Sequence, residues 1–170
     1  MFPKTYFVVG VNGVGKTTLI PHLKTLLSES KFEIHDFDER GVPDGGGRAW
    51  RICETEYWLE LGEKNKEKGV ATIICGFAKP QELGDRAEII LLDASGAKIE
   101  ERIKNRYQTE TSIVELNRTT GKTVEKFIMD NVYYSSILRK ECQEVGCKIV
   151  DTTLLSPDRV AQLVRAFLEQ

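Results

Sequence analysis

Eight residues near the start constrain everything after them: Gly10-Val11-Asn12-Gly13-Val14-Gly15-Lys16-Thr17. Their spacing fits G-x-x-x-x-G-K-[ST], a loop whose backbone N–H groups wrap phosphate. The glycines let the backbone curl so that consecutive N–H groups point inward as an anion nest. Lys16 adds a point charge able to reach the outer phosphates, and Thr17 a hydroxyl for Mg²⁺. The following helix, opening through Thr18, turns its positive end to the same anion. Gly10, Asn12, Gly13, Val14, Gly15, Lys16, Thr17 and Thr18 are therefore the expected phosphate contacts.

Context supports that assignment. Tyr6-Phe7-Val8-Val9 is aromatic and β-branched, as a buried strand entering the loop should be. Leu19, Ile20, Leu23, Leu26 and Leu27 recur at helical spacing after it, in a helix running to about Ser28. Pro21 lies inside that helix and is expected to bend it. Further on, Phe32-Glu33-Ile34-His35 reads as a strand, and Gly41 to Gly47 as a glycine-rich loop. Arg48 to Lys68 reads as a helix with Trp50, Cys53, Tyr57 and Leu61 on one face and Trp58 beside them. Val70–Cys75 and Glu88–Leu92 are continuous apolar runs of strand length, suited to a parallel sheet covered on both faces.

A helix carrying Ile99, Arg102, Ile103 and Arg106 follows, then a threonine-rich stretch, 107–122, without clear periodicity. A longer helix bears Phe127, Ile128, Leu138, Cys142 and Val145 and stops at Gly146. Lys148-Ile149-Val150 is a last strand, and Ser156 with Pro157 opens the last helix. Strand and helix alternate throughout, which predicts a three-layer α/β sandwich in one domain, 1–170. A second Gly-Lys-Thr at Gly121 to Thr123 has Leu116 where its partner glycine would stand and no strand before it. It is a coincidence.

The formal net charge is −2, which argues against broad electrostatic binding to nucleic acid or an anionic membrane. No apolar run has the length of a membrane span. The cysteines Cys53, Cys75, Cys142 and Cys147 form no C-x-x-C pair and read as reduced thiols of a cytoplasmic protein, with Cys75 buried.

Taken in order, these segments resemble the small P-loop kinases: the nucleoside monophosphate kinases with the shikimate and gluconate kinases. The first loop is their Walker A motif. Asp36-Phe37-Asp38 after the second strand looks like the D-x-D of the shikimate kinase branch. Gly76-Phe77 is similar to the D-G-F-P-R of adenylate kinases, though Cys75 replaces the Asp, and Ala78 and Lys79 replace Pro and Arg. Arg102-Ile103-Lys104-Asn105-Arg106 resembles the R-x-x-x-R that opens a mobile lid. Asp151-Thr152-Thr153 with its Ser-Pro-capped helix is similar to the closing unit of that group.

The resemblance implies a five-stranded parallel sheet in the order 2-3-1-4-5, an acceptor-binding segment at about 36–68 and a lid at about 107–122. It implies ATP and Mg²⁺ as cofactors and a small-molecule phosphoryl acceptor as partner. Asp36 would join Thr17 in holding the metal through water, and Asp38 would orient or deprotonate the acceptor hydroxyl. Arg102 would stack over adenine and Arg106 would reach the transferring phosphate.

Arg40, Arg48 and Arg51 flank the glycine loop, where guanidinium forks suit a phosphate or carboxylate on an acceptor. Each of these side chains has a duller reading: a solvated acidic turn for the aspartates, surface ion pairs for the arginines, with Glu100 and Glu101 beside Arg102 and Arg106. Trp50 and Tyr57 either stack a ligand ring or belong to the core. Arg118, in the presumed lid, is a further candidate, and His22 and His35 read as structural. Transfer of the γ-phosphoryl group of ATP to a nucleotide, nucleoside or small hydroxylated metabolite is the expected activity. A nucleotide-dependent ATPase or switch is the alternative.

Overall fold

The computed structural model describes residues 4–170. Strands β1 (Thr5–Val9), β2 (Phe32–Asp36), β3 (Ala71–Gly76), β4 (Glu88–Asp93) and β5 (Lys148–Asp151) alternate with helices. These are α1 (Lys16–Leu26), α2 (Arg48–Glu67), α3 (Pro80–Leu83), α4 (Gly96–Arg106), α5 (Glu110–Thr120), α6 (Val124–Glu144) and α7 (Pro157–Leu168). The sheet is parallel and ordered β2-β3-β1-β4-β5, as the resemblance implied.

Strands β1 and β3 are buried at every position, because a parallel sheet carries helices on both faces. Alternate side chains feed two cores. Tyr6 and Val8 join Leu19, Leu23, Ile99, Val160 and Val164 on one side, while Phe7 and Val9 join Trp58, Leu59, Leu138 and Cys142 on the other. The register sets Val9 against Gly76 and Leu91, Asp36 against Cys75, and Asp93 against Asp151. The strands thus end almost level, and everything that follows them gathers at one edge, where ligands bind in open α/β sheets.

Helix α1 continues through Pro21, whose carbonyl accepts from Thr25 Oγ1 at 3.0 Å. The buried side of α2 differs from the expected one. It is made by Glu54, Thr55, Trp58, Leu59, Gly62 and Asn65, leaving Cys53 and Tyr57 exposed. Polar anchoring turns the helix this way: Trp58 Nε1 donates to the Phe37 carbonyl at 3.1 Å, and Asn65 Nδ2 donates to Thr72 Oγ1 at 3.0 Å.

The threonine-rich stretch also differs, for α5 occupies most of it. Thr109 caps α5, with its hydroxyl 3.2 Å from the Ser112 N–H, and Leu116 is its buried anchor. Gly121 ends α5 at φ 68° and Thr123 caps α6, which explains the second Gly-Lys-Thr as a helix-to-helix turn. Cys75 and Cys142 are buried, and all four cysteines are free thiols.

Candidate active site

The loop between β1 and α1 is shaped by two glycines in left-handed conformation, Gly13 at φ 89° and Gly15 at φ 102°. Side chains rarely adopt that conformation. Gly15 is also the cap of α1 and offers no side-chain acceptor, so the first amides of the helix face the crevice free to bind an anion. Lys16 folds back over the loop, Nζ donating to the Val11 carbonyl at 2.7 Å.

Three elements brace the loop from behind. From α6, Asn131 Oδ1 accepts the Asn12 backbone N–H at 2.9 Å, while its amide donates to the Phe127 carbonyl at 2.8 Å. After β5, the Thr152 hydroxyl lies 3.0 Å from the Val14 carbonyl. From α4, the Arg102 guanidinium donates to the Gly13 carbonyl at 3.0 Å and the Thr152 carbonyl at 2.8 Å.

Two cavities meet over the loop, sharing Gly13, Gly15, Thr18 and Arg106. The first, about 420 Å³, is walled by Leu19, Leu155, Pro157 and Val160 with Arg102, an apolar slot with polar edges of the kind that takes a planar base. The second, about 470 Å³, holds Lys16, Thr17, Asp36, Asp38, Glu39 and Phe77.

Asp36 and Asp38 are two apart, and on a straight strand they would be set in line on one face with Phe37 opposite. The chain turns instead. Asp38 N–H donates to Asp36 Oδ1 at 3.0 Å, and Phe37 is buried, its N–H donating to the Cys75 carbonyl at 2.9 Å. Gly76 makes room for this: a Cβ there would stand 2.1 Å from the Phe37 Cβ. His35 steadies the strand end, 2.6 Å from Glu39 and 2.7 Å from Glu33, and packs on the Trp58 ring. His22 pairs with Asp158 at 2.7 Å.

Burial lowers the Lys16 ammonium to about 8, and the Arg106 charge pushes the same way, against the pull of Asp38 and Asp36. An anion placed between these two side chains would favour the charged form of Lys16. Asp38, although open to solvent, is raised above the ordinary carboxylate value by desolvation and then by Asp36. Burial pushes the Cys75 thiol up to about 12, so it stays neutral where adenylate kinases carry a carboxylate.

The remaining arginines divide clearly. Glu100 and Glu101 pair with Lys104 and Lys98, and Arg106 makes no ion pair among the described residues. Arg51 is held bidentately by Glu82, Arg40 by Glu54, and Arg118 by Glu115 with Asp44 at 3.5 Å. Arg48 is exposed at the first turn of α2. Asn131 and the glutamate partners of the arginines were not among the residues expected from sequence. Asn131 did leave a trace, as a polar residue at core spacing between Phe127, Ile128 and Leu138.

Mg²⁺ takes few protein ligands and prefers hard oxygens, keeping water and phosphate for the rest. The Thr17 and Asp36 side chains line the same cavity, and Asp38 N–H engages Asp36 through Oδ1 alone. The donor set fits.

No protein-family model matches the sequence, and no curated protein does. Solved structures do match. The chain is similar to a shikimate kinase from Acinetobacter baumannii in complex with shikimate, at 18% identity and TM-score 0.60, over 98% of this chain and 93% of that one. It is similar to the APS kinase of Mycobacterium tuberculosis in complex with AMPPNP and APS, at 14% identity and TM-score 0.62, over 99% and 98%. A gluconokinase from Sinorhizobium meliloti matches at 14% identity and TM-score 0.58, over 99% and 93%. The fold is that of the small-molecule P-loop kinases. Among the described residues no helix is long and apolar enough to cross a membrane.

Proposed function

We propose that the protein is an ATP-dependent phosphotransferase that moves the γ-phosphoryl group to a hydroxyl of a small acceptor. One observation carries this reading: Lys16, Arg106, Asp36 and Asp38 line a single cavity beside an apolar slot that shares the phosphate loop. The adenine would lie in the slot beside Arg102 and the phosphates along Gly10 to Thr18. Bound at Thr17 and Asp36, Mg²⁺ would neutralise charge on the phosphate oxygens. Lys16 and Arg106 act on the equatorial oxygens, where charge spreads in the loose transition state. Asp38 orients the acceptor hydroxyl and takes its proton.

The acceptor enters beside Asp38 along the segment 36–68, and residues 107–122 act as the lid that excludes water. The Arg118–Asp44 contact joins that lid to the glycine-rich loop. Free thiols at Cys53 and Cys147 accord with the cytoplasm, a reducing compartment where ATP is supplied.

The test is ADP release with ATP and Mg²⁺ against a panel of nucleotides, nucleosides and hydroxylated metabolites. Lys16→Ala should lower acceptor-dependent turnover by roughly a hundredfold or more. Unchanged turnover in that variant sinks the mechanism, and hydrolysis indifferent to every acceptor would favour an ATPase.

A further inference from the structure

We infer that Arg102 is a positioning residue of the phosphate loop: its guanidinium fixes the peptide planes at Gly13 and Val14 and so aims the Val14 and Gly15 amides, whatever it also offers to a base. This rests on the phosphotransferase reading above and concerns how the same loop grips ATP.

A trans peptide unit is planar, with the C=O of one residue opposed to the N–H of the next. Each amide of the loop is therefore aimed by whatever holds the carbonyl before it. The Gly13 carbonyl accepts from Arg102 Nη1 at 3.0 Å, which turns the Val14 N–H away from that side chain. The Val14 carbonyl lies 3.0 Å from the Thr152 hydroxyl, which turns the Gly15 N–H away from Thr152.

Arg102 governs the second plane as well. Its Nη1 is 3.0 Å from Thr152 Oγ1, and its Nη2 donates to the Thr152 carbonyl at 2.8 Å. A hydroxyl that accepts from a guanidinium has one proton left to give. The Asp93 carbonyl, 3.1 Å away, already takes the Thr152 N–H at 2.8 Å, so that proton serves Val14. Arg102 and Thr152 thus act as one unit on two successive carbonyls.

The unit is stiff. Ile99 and Ile103 anchor α4 in the core, and Thr152 is buried. A Cβ on Gly13 would stand 3.2 Å from the Ile99 carbonyl oxygen, so the helix has no slack against the loop. Gly13 itself sits at φ 89°, and a glycine left alone visits both signs of φ. Something outside the loop must select the sign, and the Arg102 contact to the Gly13 carbonyl does so. A planar fork can span the Gly13 and Thr152 carbonyls together, where an ammonium offers a single point. Pre-set amides spare the ligand the cost of ordering them.

The experiment uses the intact protein with Mg²⁺, titrated calorimetrically with inorganic tripolyphosphate and with a non-hydrolysable ATP analogue. Tripolyphosphate has no base, so it reports the loop alone. Arg102→Lys keeps the charge and loses the fork, and should weaken tripolyphosphate by roughly tenfold or more. The ATP analogue should weaken at least as much. Tripolyphosphate bound as tightly as by the parent overturns the inference, whether the ATP analogue weakens, which leaves Arg102 a contact to the base, or only the melting temperature falls, which leaves it a structural residue. Thr152→Val removes the hydroxyl and no charge. It should also weaken tripolyphosphate, and the double variant should lose less than the product of the two single losses. A full product overturns the claim that the two side chains form one unit. A parent protein that binds neither probe removes the phosphotransferase reading itself, an outcome distinct from all of these.

Discussion

Asn131 of α6 accepts the backbone N–H of Asn12 at 2.9 Å, so a helix from the far end of the chain fixes the middle of the phosphate loop. Asn131 is 8% exposed and also engages the Asn12 side chain at 3.2 Å. Asn131→Ala should leave the Asn12 N–H without its side-chain acceptor, while the Phe127 carbonyl keeps its helical N–H donor. The loss should be about 1 kcal/mol, from the hydrogen bonds to Asn12 that are removed. Calorimetric titration with ATP should show weaker binding, and thermal unfolding a lower midpoint.

Lys16, lowered to about 8 by burial and Arg106, makes nucleotide binding pH-linked. Bound phosphates restore the charged form, so above about pH 8 binding must be accompanied by proton uptake. Calorimetry in two buffers of different ionisation enthalpy measures it directly. For the nucleotide-free protein the unfolded chain binds the extra proton between about 8 and the ordinary 10.5. Stability should therefore climb with pH across that window, and the slope should vanish in Lys16→Ala.

Asp38, raised by desolvation and Asp36, is a better base than an ordinary carboxylate at the cost of stability. Asp38→Asn should reduce turnover by about 10²–10⁴-fold. The same variant should be more stable at pH 7 than the parent, since the folded state favours the protonated carboxyl. That advantage should disappear once pH falls below the ordinary carboxylate value, where both states carry the proton. Denaturant titrations at pH 7 and pH 3 compare the two.

Gly76→Ala places a methyl 2.1 Å from the Phe37 Cβ. Overpacking of this kind costs about 1–3 kcal/mol. Because Phe37 stands between Asp36 and Asp38, relief of the clash moves both carboxylates. Turnover should fall further than the stability loss alone accounts for, as a denaturation curve measured beside kcat would show.

The parallel sheet was legible because the chain alternates apolar strand-length runs with helical spacing, whereas its strand order came only from the resemblance to the small P-loop kinases. The D-F-D turn was legible in position, though its shape depends on Gly76 and on the Cys75 carbonyl. Helix α5 was hidden, since Thr119 and Thr120 are weak helix formers. In place they are reconciled to the helix by donating to the Glu115 and Leu116 carbonyls at 2.8 and 2.7 Å. The arginine partners were hidden for another reason. Glu54 and Glu82 lie 14 and 31 residues from Arg40 and Arg51, beyond any local periodicity, so three plausible ligand-binding arginines became two internal pairs and one exposed side chain.

The strand order has a bearing on biosynthesis. Strand β1 pairs with β3 and β4, never with β2, and α1 packs against α7. A ribosome-bound chain that has delivered only β1, the glycine loop and α1 holds that loop with no neighbouring strand to support it. The loop acquires its braces at Asn131 and Thr152 only after α6 and β5 have emerged. Under the proposed function, nucleotide capture on the nascent chain would follow the emergence of α6 and β5.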